Sequence, residues 1–111
     1  VFVAWDDTKD LAFSQNILRV VPRRGAELVA YAFLSTTVGY RLLQGTAVGS
    51  AYLAINNKLV PQIPFPQISE SDIVGIVAHM QQALEARAAS AEAEAEAIRI
   101  VEEEVLPSWL A

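Results

Sequence analysis

The chain has 111 residues, 53% hydrophobic and 19% charged, with no cysteine and a formal net charge of −5. The missing cysteine excludes disulfides and thiolate metal sites and leaves the redox compartment open. No apolar run approaches the ~18 residues of a membrane span, and no basic segment leads into an apolar one, so a soluble cytoplasmic protein with no membrane partner is the default expectation.

Charge is unevenly placed along the chain. Residues 1–66 hold six basic side chains (Lys9, Arg19, Arg23, Arg24, Arg41, Lys58) against four acidic ones (Asp6, Asp7, Asp10, Glu27), whereas residues 67–111 hold two basic (Arg87, Arg99) against nine acidic. The expected organisation is a mildly basic head, 1–66, and an acidic rod, 67–111. An anionic polymer can approach the head and is repelled by the rod. So small a head buries only about 60% of its unfolded surface and is marginal alone. The chain is therefore expected to be a fragment of a larger domain or part of an oligomer, beginning inside a sheet.

In chain order, Val1-Phe2-Val3-Ala4-Trp5 is β-branched and aromatic, stops at the turn signal Asp6-Asp7-Thr8, and reads as a first strand. Residues 13–21 alternate imperfectly through Phe13, Ile17 and Val21, end at Pro22, and read as a second. Pro22-Arg23-Arg24-Gly25 is the connecting loop, with both arginines exposed. Over residues 26–44, Leu28, Tyr31, Ala32, Ser35, Val38 and Leu42 recur at three and four residue steps, which predicts one amphipathic helix. Glu27 suits its first turn, Gly39 weakens it and Gly45 ends it. Gln44-Gly45-Thr46-Ala47-Val48-Gly49-Ser50 is a loop of small residues and hydroxyls. Such loops bring backbone N–H groups close to phosphate, and they equally serve as ordinary connectors. Residues 52–60 read as a short helical turn leading to a strand over 61–65, where Pro61, Pro64 and Pro66 allow only a sheet edge or an extended crossing.

From there one long helix is expected, capped by Ser69 or Ser71 with Asp72 in its first turn. Val77, Leu84, Ala91, Ile98 and Val105 follow at seven-residue steps, and Ile73, Met80, Ala88, Ala95, Val101 and Trp109 fall on the same side. One apolar stripe on a solvated rod needs a partner stripe. Between residues 88 and 97 only alanine lines it, so a partner helix comes close there but buries little area. The Ala-Glu alternation over 91–96 is helical, because both residues are strong helix formers, and its charges form a solvated face.

Little catalytic chemistry is present. There is no Walker loop, dinucleotide fingerprint or H-E-x-x-H. His79 sits on the helix among polar neighbours as a surface or interface residue, and Glu102-Glu103-Glu104 lacks convergent geometry for a cation. The chain is expected not to be an enzyme by itself and to need no cofactor or metal.

The ordered series does carry a resemblance. A helix with Leu28-Val29-Ala30-Tyr31-Ala32-Phe33-Leu34-Ser35 is followed by Gly45-Thr46, then Asn56, Lys58-Leu59-Val60, Ile63-Pro64-Phe65-Pro66 and a long heptad helix. Over residues 12–106 this resembles the C-terminal half of a target recognition domain plus its conserved helix in the DNA-specificity subunit of type I restriction-modification systems. Two departures stand out. Asp72 lies near the place where the family has a glutamine opening its helix, and Leu106-Pro107-Ser108-Trp109-Leu110 differs from the usual close.

The resemblance implies an α+β fold, with a small, partial mixed α/β head of few strands and one main helix followed by a long C-terminal coiled-coil helix. It also implies sequence-specific reading of double-stranded DNA. Arg23, Arg24, Arg41 and Lys58 would meet phosphates, and Gln44, Thr46, Ser50 and Tyr52 would approach base edges. The helix would position recognition domains and dock methyltransferase and restriction subunits. Its interface residues would be Ile73, Val77, Met80, Leu84, Ala88, Ala91, Ala95, Ile98, Val101 and Val105, with a homo-oligomer expected for the isolated chain. The competing expectation is a coiled-coil scaffold without DNA binding. Absence of an Asn-Pro-Pro-Tyr type motif assigns any methyl transfer to sequence outside this chain, whether a separate subunit or a fused one.

Overall fold

The computed structural model describes residues 1–12, 17–49 and 54–111. An irregular N-terminal segment, two short helices, a two-stranded ladder and a 3-10 turn make up a small head, and one long helix completes the chain. The fold is α+β. At about 1.5 Å per residue, that helix accounts for most of the 60 Å long axis.

Val1-Phe2-Val3-Ala4-Trp5, expected as a strand, runs as irregular chain into a turn over residues 6–10. The turn itself forms: the Thr8 N–H donates to the Trp5 carbonyl at 2.9 Å, and the Thr8 hydroxyl accepts the Trp5 N–H at 3.0 Å. Strand propensity is realised only beside a neighbour that completes a ladder, and here the segment lies against the long helix instead. The second expected strand is also missing over residues 17–21, which are irregular, while its start at 13–16 lies outside the described residues.

The single helix expected over 26–44 is two, α1 (Glu27–Leu34) and α2 (Thr37–Gly45). Hydroxyl chemistry makes the break. Ser35 Oγ donates to the Tyr31 carbonyl and Thr36 Oγ1 to the Phe33 carbonyl, each at 2.7 Å, and Thr36 Oγ1 accepts the Gly39 N–H at 3.0 Å. The Tyr31 and Phe33 carbonyls at the end of α1 and the Gly39 N–H at the start of α2 thereby gain partners, and Thr36 becomes the N-cap of α2. Gly39 then has a role that its helix-weakening reputation hides. A Cβ there would fall onto the Phe33 carbonyl oxygen and 2.7 Å from Leu34 Cα, so only glycine lets α2 turn back this closely on α1.

After α2, β1 (Ala47–Val48) pairs antiparallel with β2 (Ala54–Ile55) in the register Ala47 with Ile55 and Val48 with Ala54. Part of the expected loop is therefore strand, and so is part of the expected helical turn over 52–60. Tyr52 and Leu53 lie outside the described residues, and Asn56 onward forms a turn that leads into a 3-10 turn at Val60–Gln62. No strand forms over 61–65. Pro61 enters the 3-10 turn, and the chain then crosses the head in extended form, with Phe65 edge-on to Phe33 at 4.9 Å.

The long helix opens at Ser69, whose hydroxyl accepts the Asp72 N–H at 3.2 Å and donates to Asp72 Oδ2 at 2.6 Å. Helix α3 (Glu70–Ile100) passes without a stop into a π-helical segment, Val101–Val105, and then α4 (Leu106–Leu110). In an α-helical register Pro107 would leave the Glu103 carbonyl without a donor and crowd it with the pyrrolidine ring. Widening the preceding turn, with the Leu106 N–H reaching back to the Val101 carbonyl, avoids that collision.

Helix α1 packs on α3, and the buried apolar side chains of the described residues are Leu28 and Val29 on α1 and Leu84 on α3. Around them Ile73, Ile76, Val77, Met80 and Ala88 are half-buried. Residues 89–105 are exposed throughout. The apolar stripe is thus divided: its first half covers this chain's own head, and its second half faces outward.

Two substitution pairs check this packing. Gly39→Ala should lower stability by about 1–3 kcal/mol through overlap with α1. Gly75→Ala, in open space within α3, should raise it by about 0.5–1 kcal/mol, both read by urea unfolding. Leu84→Ala should cost about 2–5 kcal/mol, whereas Ile98→Ala, on the uncovered half, should leave the midpoint of the same transition nearly unmoved.

Candidate nucleic-acid interface

Arg87 ties the irregular N-terminal segment to the rod. Arg87 donates to both Asp7 carboxylate oxygens at 2.8 Å and to the Val3 carbonyl at 3.1 Å, with its guanidinium carbon 4.6 Å from the centre of the Phe2 ring. The pair is partly sheltered, the Asp7 side chain being 8% and that of Arg87 29% exposed. Hydrogen bonds from Arg87 hold the Asp7 carboxyl below its ordinary range; partial burial opposes them and ionic attraction adds to them. By sequence Arg87 is only one of two basic residues on the rod. The signal for its role is its place at a seven-residue step after Met80, a cation among apolar stripe positions.

This pairing sharpens the charge separation. With Asp7 neutralised across the seam, the six cations of the head face Asp6, Asp10 and Glu27, while Arg99 alone opposes the nine carboxylates of the rod. Arg99 is itself occupied, with Glu96, Glu103 and Glu104 at 2.8, 2.6 and 3.5 Å. Glu103 and Glu104 are accordingly neighbours of a guanidinium. His79, exposed on α3, places Nδ1 2.8 Å from the Gly75 carbonyl of the preceding turn.

The expected phosphate contacts are all exposed. Arg23 and Arg24 ride a turn closed by the Ala26 N–H to the Arg23 carbonyl at 2.9 Å, with Gly25 at φ +87° supplying the left-handed position. Arg41 and Gln44 lie three residues apart on α2, and the Gln44 amide donates to the Tyr40 hydroxyl at 3.2 Å. Lys58 occupies the turn after β2, where its N–H donates to Asn56 Oδ1 at 2.8 Å. The Asn56 N–H reaches the Thr46 carbonyl at 3.1 Å, which brings the Lys58 turn beside the C-terminal end of α2. Lys58 thus lies at the corner of the head where α2 ends, with Gln44 in the last turn of that helix and Arg41 one turn earlier. Among the described residues no hydrogen bond ties the Arg23–Arg24 turn to that corner.

Thr46 does not face outward as expected. It is buried, and its hydroxyl donates to the Leu43 carbonyl at 2.7 Å, closing the end of α2. Ser50 and Tyr52 lie outside the described residues. Of the expected helix contacts, Ile73, Val77, Met80, Leu84 and Ala88 are covered by the head, whereas Ala91, Ala95, Ile98, Val101 and Val105 are exposed.

An open groove lies between Val1, the end of α1 and the start of α2, lined by Tyr31, Leu34, Ser35, Thr36, Thr37 and Tyr40. A second depression is lined by Ala4, Trp5, Asp6 and Lys9. Neither is lined by Arg23, Arg24, Arg41 or Lys58. Comparison with family models, with curated proteins and with solved structures returns no match. Among the described residues no helix is long and apolar enough to cross a membrane.

The Asp7–Arg87 clamp should be acid-labile. A carboxyl whose folded pKa lies below its unfolded value of about 4 contributes stability above that value and loses it as pH falls through the folded one. With Trp109→Phe to isolate Trp5, fluorescence should be steady from neutral pH to about 4 and shift below it. In Asp7→Asn the shift should already be present at neutral pH.

Proposed function

We propose that the head contacts double-stranded DNA and that the rod sets where it sits, the arrangement implied by the resemblance to type I restriction-modification specificity subunits. The observation that carries the reading is the separation of charge. Six cations lie on the head, Arg23, Arg24, Arg41 and Lys58 among them exposed, and the rod is almost wholly anionic. A duplex is attracted to one end of such a molecule and kept off the other.

In this reading Arg23, Arg24, Arg41 and Lys58 meet phosphates and fix orientation. Gln44 reads base edges from the exposed face of α2. Methyl transfer and cleavage belong to other subunits, cytoplasmic partners docked through the rod, and this chain is not catalytic. The scaffold alternative draws on the outward-facing stripe Ala91, Ala95, Ile98, Val101 and Val105, which fits docking whether or not DNA is bound.

Salt dependence separates the two. Affinity for mixed-sequence duplex should fall steeply as salt rises. Arg23→Ala with Arg24→Ala should weaken binding across sequences and flatten the slope of log affinity against log salt by roughly 1 for each phosphate left without its cation. No binding at low salt, with methyltransferase subunits present, would leave the scaffold reading in place.

A further inference from the structure

We infer that the distal rod, residues 89–105, docks a helix of a different protein whose flanks carry lysine or arginine, and not a second copy of this chain. The inference rests on the docking role given to the rod above and is independent of DNA contact by the head.

Coverage of the stripe decides how much rod is on offer. Ile73, Val77, Met80, Leu84 and Ala88 are taken up by the head, so a partner helix has only the seam from Ala91 to Val105. Two of those side chains are alanine, and Ile98, Val101 and Val105 are about half exposed. So short a seam falls well below the ~800 Å² per partner of an ordinary stable interface. Apolar burial this small gives only a weak contact, and charge decides which helix makes it.

The charges present disfavour self-pairing. Over this stretch Glu92, Glu94, Glu96, Glu102, Glu103 and Glu104 surround a single cation, Arg99, and Arg99 is already held by three of them. Glu94 stands seven residues after Arg87 and seven before Val101, within the seam itself. A second copy would bring a matching set of carboxylates within the ~8 Å screening length, in either direction of pairing. A helix with a leucine or isoleucine stripe and basic flanks would cover the apolar side chains and place a cation opposite Glu94.

The test uses the full chain and two synthetic helical peptides with the same leucine seam, one flanked by lysine and one by glutamate. Sedimentation should show the chain alone as a monomer at micromolar concentration. Fluorescence anisotropy should show the lysine-flanked peptide binding at least about tenfold more tightly than the glutamate-flanked one, with affinity falling as salt rises from about 50 to 300 mM. Ile98→Asp, which makes the rod more acidic, should weaken the lysine-flanked peptide by about tenfold; a purely ionic association would strengthen. Val105→Asp, at an equally exposed site, gives a second reading, and circular dichroism checks that both variants keep their helix. A chain dimer dissociated by Ile98→Asp, equal binding of the two peptides, no binding of either, or lysine-peptide binding indifferent to both variants would overturn the inference. No DNA enters the assay, so its failure leaves duplex binding standing, and loss of duplex binding leaves it untouched.

Discussion

The head depends on the contact between α1 and α3. Leu28 and Val29 are buried on one helix and Leu84 on the other, and the rest of the described head has no apolar side chain as deeply enclosed. The long helix is therefore one wall of the head's core before it is anything else. Burial at this seam is the main apolar term available to so small a unit. The Phe33–Phe65 edge contact and the hydroxyl-closed turn fasten neighbouring chain to α1, and the Arg87 clamp fastens the N-terminal segment to α3.

What was legible in the residues follows from how local each cause is. Ser69 capping with Asp72, the turn at Thr8 and the left-handed Gly25 are decided within four residues, and the chain announces them. The long helix was legible because its composition favours helix nearly everywhere. Strands at residues 1–5 and 17–21 were not excluded by anything local; their propensity had no ladder to join. The helix break at Thr36 turned on a choice invisible to periodicity, since Ser35 and Thr36 fit a helical stripe equally well until their hydroxyls claim the carbonyls behind them. Thr46 looked like a group offered to a ligand because its sequence neighbours are small, yet its hydroxyl serves the end of α2. The candidate DNA contacts were legible as exposed cations. Which of them share a corner of the head was not, because that depends on the β1–β2 pairing.

Arg87 links the two halves of the molecule in another sense. It is the cation of the acidic rod nearest the head, and it is spent on a carboxylate of the basic head. Each half thereby gives up its minority charge at the seam, and the outward surfaces become more nearly single-signed than composition alone implies. A polyanion approaching such a surface experiences a field with a direction, attractive at the head and repulsive along the rod.

The π-helical turn at Val101–Val105 bears on how far along the rod the apolar stripe keeps its register. One surplus residue in a turn retards everything after it by roughly 100°, the rotation of a single residue at 3.6 per turn. Trp109, which an unbroken α-helix would carry in line with Ile98 and Val105, is swung aside, and it stands 75% exposed. The α-helical stripe keeps step as far as Val101 and drifts out of phase across the π-helical segment. Pro107 thus sets where the α-helical register of the stripe ends.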